Sequence, residues 1–268
     1  FSVPPLTGSV GALALTDATI LSIGSFTASD AAGFSLQNSG NTLAVTGPLV
    51  ASTGSISLSN AASIAVSGTV KAATDAVLSA TTAGIGLNSG ALLKATTVSL
   101  AATGNGIVEN SAATIQAGTL RVSATGTVGL TAVANQIDTL GSVSVTSGSF
   151  SVASANQLTI KSGTSIGASG QIVIMDTAAT SKITIEDNAT IVSSASSVAL
   201  VADTGSIGAA TINAAGMLEV APATSGASYT IGTNLVNTGA PSTSIAGLRV
   251  GAYTDPSAGT LTTTAKNI

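Results

Sequence analysis

The feature that most constrains this sequence is a short unit, an apolar residue, any residue and a second apolar residue, which returns with a period of about 21 to 22 residues. Its clearest series is Leu13/Leu15, Phe34/Leu36, Ile56/Leu58, Val77, Val98/Leu100, Leu120/Val122 and Val143/Val145. The spacing between successive first members varies only slightly over the six steps of this series. Such regularity indicates a repeat architecture in which each unit stacks on the next.

Two further series run behind the first and divide each repeat into three short segments. The second series is Leu43/Val45, Ile64/Val66, Ile85/Leu87, Ile107, Val128/Leu130 and Leu158/Ile160. The third is Val50, Val70, Leu92, Ile115 and Ile137. Alternation of apolar and polar residues is the period of a β-strand, so each repeat is predicted to hold three strands separated by small or polar residues.

Strands this short cannot form a stable sheet alone, but three of them can close one triangular coil. Stacked coils place equivalent strands about 4.8 Å apart and generate three parallel sheets around a narrow apolar column. The sequence therefore predicts an all-β fold, a three-sheet parallel β-helix of about 11 to 12 coils. A narrow interior also explains why aromatic residues make up only 2% of the chain.

The pattern loses regularity in the second half of the chain. We expect a longer turn within residues 147–170, after which the first series continues with Ile172/Ile174, Val198/Leu200 and Leu218/Val220 and the second with Ile183/Ile185. Proline and tyrosine then become frequent, at Pro222, Tyr229, Pro241, Tyr253 and Pro256. We predict a β-helix repeat region over residues 1–221, and over residues 222–268 a less regular continuation, a cap or the start of the next repeat unit.

A longer echo suggests that the chain is part of a larger array. Residues 20–27 resemble residues 137–144, and similar matches follow at nearly the same offset over the next strands. The chain begins at Phe1 rather than at a methionine, which fits a piece of a longer polypeptide. The expected partners are neighbouring repeats of the same chain, or identical subunits stacked end to end.

Composition excludes several classes of function. The seven basic residues are scattered, so no cluster can neutralise successive phosphates, and nucleic acid is not an expected partner. No apolar run approaches the roughly 18 residues that a membrane-spanning helix needs. The chain contains neither His nor Cys, which removes histidine-based catalytic triads and zinc sites built from these two residues.

Three segments carry a resemblance to a known family: Gly54–Leu58 (GSISL), Ser63–Gly68 (SIAVSG) and Thr119–Gly126 (TLRVSATG). They resemble the repeat region of filamentous-haemagglutinin-type adhesins and related bacterial β-strand-repeat surface proteins, over roughly residues 8–220. The resemblance implies a right-handed β-helix, export across a Gram-negative outer membrane, and a role in adhesion or surface filaments at the outer cell surface.

Parallel β-helices also host polysaccharide-cleaving enzymes, so the eleven carboxylates offer an alternative. Glu186 and Asp187 are the only adjacent pair, and Asp176, Asp203 and Lys182 lie near strand ends in the neighbouring coils. Hydrolysis would require two of these carboxylates about 5 to 9.5 Å apart in an open cleft, and a calcium site would require several of them to converge. Strand-ending turns explain the same residues more simply.

Two pairs of asparagines, Asn38/Asn60 and Asn88/Asn110, are each one coil apart and could stack as short structural ladders. No catalytic, cofactor-binding or metal-binding residue is predicted, no cofactor is expected, and the chain is predicted not to be an enzyme. We expect a structural rod segment of a secreted bacterial cell-surface adhesin, filament or matrix scaffold. The alternative is a polysaccharide-active or carbohydrate-binding β-helix with surface glycans as its partners.

Overall fold

The computed structural model describes residues 6–11, 13–17, 19–224, 245–254 and 261–263. Regular structure in these ranges is β-strand, and within them no helix is long and apolar enough to cross a bilayer. The prediction of a parallel β-solenoid is confirmed, with about ten coils rather than 11 to 12. Some later coils contain more residues than the early ones, since the step from Ile172 to its partner Val198 exceeds the step from Phe34 to Ile56.

The chain divides into two compact units, which are described separately. Unit 1 comprises residues 1–126 and 134–136, and unit 2 comprises residues 127–133 and 137–268. The strands of unit 1 are β1 (Leu6–Val10), β2 (Leu13–Asp17), β3 (Leu21–Ala28), β4 (Phe34–Asn38), β5 (Thr42–Val45), β6 (Leu49–Ala51), β7 (Ile56–Ala61), β8 (Ser63–Val66), β9 (Thr69–Ala72), β10 (Asp75–Ala80), β11 (Ile85–Leu87), β12 (Leu92–Ala102), β13 (Ile107–Glu109) and β14 (Thr114–Ala124).

Three parallel sheets form the walls of unit 1. The first contains β2, β4, β7, β10 and the carboxyl-terminal halves of β12 and β14. The second contains the start of β3 followed by β5, β8, β11 and β13. The third contains the end of β3, then β6, β9 and the amino-terminal halves of β12 and β14. Three sheets are what the three sequence series predict.

The interior of unit 1 is a column of stacked apolar side chains. In the first sheet, Phe34 pairs with Ile56 in register, and both are buried. Phe34 also meets Phe26 edge-on, with ring centroids 5.2 Å apart. Adjacent coils approach so closely at one corner that a Cβ on Gly47 would overlap the carbonyl oxygen of Gly24. Glycine at that corner is therefore a packing requirement.

Three members of the predicted series point outward rather than inward. They are Val50, Val77 and Leu92, which are half-exposed. The buried residues are their sequence neighbours Leu49, Ala76, Leu78 and Leu93. The register of the stack decides which face is buried, and a shift by one residue exchanges the two faces of a strand.

Unit 2 repeats this architecture with longer connections. Its strands are β15 (Val128–Leu130), β16 (Gln136–Val145, whose first residue belongs to unit 1), β17 (Phe150–Ser154), β18 (Leu158–Ile160), β19 (Ser165–Ala168), β20 (Ile172–Asp176), β21 (Lys182–Ile185), β22 (Thr190–Ser193), β23 (Val198–Val201), β24 (Thr204–Ile207), β25 (Thr211–Ala221), β26 (Ile245–Val250), β27 (Ala252–Thr254) and β28 (Leu261–Thr263). β27 and β28 pair antiparallel, whereas the other described pairs of unit 2 are parallel.

The assignment of later residues to the first and second series is wrong. β15, β17, β20, β23, the end of β25 and β26 form one sheet, so Ile172, Val198 and Leu218 stack in the column of Val128, which the sequence placed in the second series. A different sheet contains part of β16 followed by β18, β21 and β24. It holds the pairs Leu158/Ile160 and Ile183/Ile185, which the sequence also placed in the second series.

The third sheet of unit 2 contains the end of β16, then β19, β22 and the start of β25. Here Val143 stacks on Ile166, not on a member of the extended first series. The steps between paired strands keep the period here, because Val128 pairs with Phe150 and Phe150 pairs with Ile172. Residues 147–170, where a longer turn is expected from the sequence, contain β17, β18 and β19, so the series skips Phe150 and Ile166 and continues in the neighbouring sheet. The longer turn at residues 177–181 lengthens only later steps, such as that from Ile172 to Val198.

β26 continues the stack beyond residue 221, because Leu248 pairs with Leu218. The predicted boundary between residues 221 and 222 stays a prediction. Of the residues that motivated it, Tyr229, Pro241 and Pro256 lie outside the described residues.

Candidate functional site

The carboxylates that the sequence offers as catalytic or calcium-binding candidates each bind a different turn. Glu186 accepts a hydrogen bond from the backbone N–H of Ser162 at 3.0 Å. Asp187 accepts one from Ala209 at 2.6 Å. Asp203 accepts bonds from both the N–H (2.8 Å) and the hydroxyl (2.6 Å) of Thr224. Each of these side chains thus joins its own turn to an adjacent coil, the preceding one for Glu186 and the following one for Asp187 and Asp203.

Asp176 is fully buried and closes the turn over residues 177–181. Its Oδ2 accepts the N–H groups of Leu158 (3.1 Å) and Lys182 (3.0 Å), and its Oδ1 accepts that of Ala178 (2.9 Å). Burial is the largest influence and raises the pKa of Asp176, the three backbone hydrogen bonds oppose it, and the charge of Asp203 raises the pKa slightly further. Within the described residues, no three acidic side chains form a group that could hold a metal ion.

The asparagine pairs do not form side-chain ladders in the part of the chain that the structure describes. Asn38 is buried and donates from Nδ2 to the carbonyl of Thr42, whereas Asn60 is exposed with a φ of 59°. Asn110 accepts the N–H of Ala112 within its own turn. The role of these residues is local, because each shapes the turn in which it lies.

A groove that the sequence did not predict lies on the outer face of the sheet formed by β15, β17 and β20. Its volume is about 380 Å³. It is lined by Thr127, Val128, Gly129, Thr131, Ser149, Ser151, Val152, Ala153, Val173, Met175 and Tyr253. We call this surface the outer groove. Among the described residues, its lining combines apolar side chains, hydroxyl groups and one aromatic ring, and none of these lining residues is charged.

The aromatic side of the outer groove is held by a cluster of hydrogen bonds around β27. Glu219, only 1% exposed, pairs with Arg249 at 2.8 Å and accepts the N–H of Thr254 at 2.6 Å. Gln171 donates to the carbonyl of Thr254 at 2.6 Å. We call these groups the β27 clip. Because the clip fixes the residue next to Tyr253, it sets the position of the ring.

β27 also covers part of the sheet beside the groove. Val173, Ala199 and Val201 point away from the interior, yet they are buried together, with Tyr253 packed against them. The sequence does indicate this second buried face, but by a pattern other than alternation of apolar and polar residues. Residues 172–175 and 198–201 are continuous apolar runs instead of alternating ones, which is typical of strands covered on both faces.

The comparisons with known proteins leave the family open. No family model matches this chain, and no curated protein and no solved structure is significantly similar to it. The β-solenoid fold agrees with the resemblance to filamentous-haemagglutinin-type repeats, and membership of that family stays a prediction.

Proposed function

We propose that this chain is a structural segment of a secreted bacterial surface protein, an adhesin, filament or matrix scaffold at the outer cell surface, and that it acts without catalysis. The observation that carries the proposal is how its polar side chains are used. At one corner of unit 1, Thr81, Thr103 and Thr125 occupy successive coils. Each hydroxyl donates to a backbone carbonyl of the preceding coil, at 3.1, 3.2 and 2.9 Å respectively.

Carboxylates serve the same purpose in unit 2, where Glu186, Asp187 and Asp203 each join neighbouring coils. A catalytic site would instead require several such groups to converge on one open cleft. The chain thus uses its few chemically distinctive side chains to connect coils. This supports a scaffold and gives the polysaccharide-cleaving alternative no assembled site among the described residues.

The proposed partners follow from the ends of the described stack. Within the described residues, β2 pairs only with β4 and β26 pairs only with β25, so each strand has one edge without a partner there. The outer edge of such a strand presents backbone groups that can accept another strand. We propose that further coils, from the same chain or from an identical subunit, continue the ladder there.

A deletion of one coil tests the scaffold role. Asp75 pairs with Thr97, so removing residues 76–97 joins Asp75 directly to Val98 in register. Because each coil contacts only its neighbours in a solenoid, we expect this variant to fold, to be displayed at the cell surface, and to keep the adhesion or filament assembly of the parent protein. Circular dichroism, immunogold labelling and electron microscopy of the host cells are the measurements.

The matched control removes residues 76–96, one residue fewer. It places the polar Thr97 at the buried position of Ala76 and turns Val98 outward, so we expect loss of folding and display. Two results would contradict the proposal: retention of the parent protein inside the cell, or turnover by the purified chain of polygalacturonate, alginate or another polysaccharide in a panel.

A further inference from the structure

The outer groove has the dimensions of a ligand site and lies on a rigid support. Pockets for small molecules usually have volumes of about 300 to 1,000 Å³, and this groove is near the lower end of that range at about 380 Å³. Its floor is the outer face of β17 and β20, whose backbone groups are paired along the whole of β17, from Phe150 to Ser154. A floor of this kind presents side chains in fixed positions to whatever lies on it.

The described residues that line the groove carry no charge, and this indicates the ligand class. Each lining residue is aliphatic, small, hydroxyl-bearing or aromatic, or is Met175. A carboxylate, phosphate or ammonium group placed there would lose hydration without gaining a counter-charge, which costs several kcal/mol or more. The groove therefore favours a neutral molecule.

The hydroxyl groups of the lining are suited to a partner that both donates and accepts hydrogen bonds. Ser151 is only 7% exposed, and its side chain makes no hydrogen bond within the described part of the chain. The hydroxyl of Thr127 accepts the N–H of Ser149 (3.4 Å), and that of Ser149 accepts the N–H of Gln171 (3.1 Å), so each keeps a hydrogen to donate. Sugar hydroxyls match such groups because they act as donors and acceptors alike.

Tyr253 supplies the remaining element, an aromatic wall beside the hydroxyl groups. The apolar C–H face of a pyranose ring packs well against an aromatic ring. Because the β27 clip already fixes the neighbouring Thr254 by four hydrogen bonds of 2.6 to 3.0 Å, little conformational freedom is lost when a ligand arrives.

An extended peptide is a weaker match for the same surface. Strand addition requires an open sheet edge, whereas the backbone of β17 is already paired with β15 on one side and β20 on the other. We propose that the outer groove binds a neutral saccharide, with one sugar ring stacked on Tyr253 and one sugar hydroxyl bonded to Ser151. This saccharide site goes beyond the structural role and does not depend on it.

The test begins with an array of neutral and uronic-acid-containing oligosaccharides probed with the purified chain. The best neutral oligosaccharide is then titrated by calorimetry and by tyrosine fluorescence, in a Tyr229→Phe background. The chain has two tyrosines and no tryptophan, so Tyr253 alone reports in that background. We expect Tyr253→Ala to weaken binding tenfold or more, Ser151→Ala threefold or more, and Tyr253→Phe less than threefold by calorimetry. Ser57→Ala, which removes an outward hydroxyl in unit 1, is the control and should leave affinity unchanged.

Circular dichroism of each variant separates loss of binding from loss of folding. The proposal is overturned if no neutral oligosaccharide is retained by the array, or if only the acidic ones are. It is equally overturned if a neutral oligosaccharide binds with the same affinity to folded Ser151→Ala and Tyr253→Ala. Preferential capture of a neutral Ser/Thr/Gly peptide would assign the groove to a protein strand instead.

Discussion

Replacement of Asp176 by asparagine tests whether a buried carboxylate holds the long turn of unit 2. The two side chains have nearly the same shape, but asparagine has only one oxygen. In the protein, Oδ2 accepts two backbone N–H groups and Oδ1 accepts a third. If the amide oxygen of the variant takes the place of Oδ2, its NH₂ group faces the N–H of Ala178, and that donor loses its partner.

The magnitude follows from the donors that are lost. A partly buried N–H without an acceptor costs about 1 to 3 kcal/mol, so Asp176→Asn should destabilise unit 2 by about that amount at low pH. Asp176→Ala leaves all three N–H groups without this acceptor and should cost more than Asp176→Asn. Asp187→Asn is the matched control: Asp187 is exposed and accepts a single N–H, which an amide oxygen can keep, so a change below about 0.5 kcal/mol is expected.

The pH dependence has a definite sign. Burial raises the pKa of Asp176 in the folded state, so ionisation is harder there than in the unfolded chain. The stability that the protonated side chain contributes is complete below the unfolded pKa and is lost as the pH rises through the folded pKa. The variant has no such titration. Between the two pKa values, the advantage of the native protein over Asp176→Asn should therefore shrink by at most about 1.4 kcal/mol per pH unit.

The assay is denaturant unfolding of the native protein and both asparagine variants from pH 3 to pH 7, followed by circular dichroism. Hydrogen exchange at the amide of Ala178, the donor that loses its acceptor, gives a local readout and should be faster in Asp176→Asn. The reasoning is refuted if the advantage of the native protein over the variant grows with pH. That result would mean that the three N–H groups outweigh burial and hold the pKa of Asp176 below its ordinary value.

Three further substitutions test the packing of the coils and the clip. Gly47→Ala should destabilise unit 1 by about 1 to 3 kcal/mol in thermal or urea unfolding, because its methyl group meets neighbouring backbone, whereas Gly86→Ala should change little. Phe34→Ala should cost about 3 to 5 kcal/mol in the same experiment, whereas Val108→Ala, at a side chain 67% exposed, should stay within about 0.5 kcal/mol. Glu219→Gln should speed proteolysis near β27, because it removes the buried charge that Arg249 pairs with, while the circular dichroism of the solenoid stays unchanged. Equal cleavage rates for the two proteins would refute a fastening role for the clip.

The solenoid could be predicted from the sequence because the strongest pattern in the chain is also the physical cause of the fold. Residues such as Phe34 and Ile56 are apolar because they stack in register inside the coil. The pattern failed where hydrophobicity alone does not choose the face. Val77 is more apolar than Ala76, yet the register buries Ala76 and leaves Val77 half-exposed. In unit 2 the period continues from Val128 to Phe150 and to Ile172, but the irregular pattern of residues 147–170 hid the strands β17 and β19.

The outer groove could not be predicted by assigning one strand at a time. When the run Ile172–Met175 is interpreted as one alternating strand, the burial of Val173 on the outer face is not expected. Tyr253 is distant from Val173 along the chain, and only the folded path of β27 brings the two together. The positions of the carboxylates, in contrast, could be predicted from the sequence. Their placement at strand ends is visible in the sequence, and each one does lie at a turn.

The buried carboxylate of Asp176 also has an evolutionary consequence. Its hydrogen bonds close the base of the turn over residues 177–181. Because Ala179 and Thr180 in that turn are exposed, a longer loop between them should leave the packing of the core unchanged. Insertions between these two residues should therefore cost little stability, so this turn is a position where evolution can add new sequence. A foreign epitope or a small binding peptide placed there would be displayed on the coil without disturbing the stack beneath it.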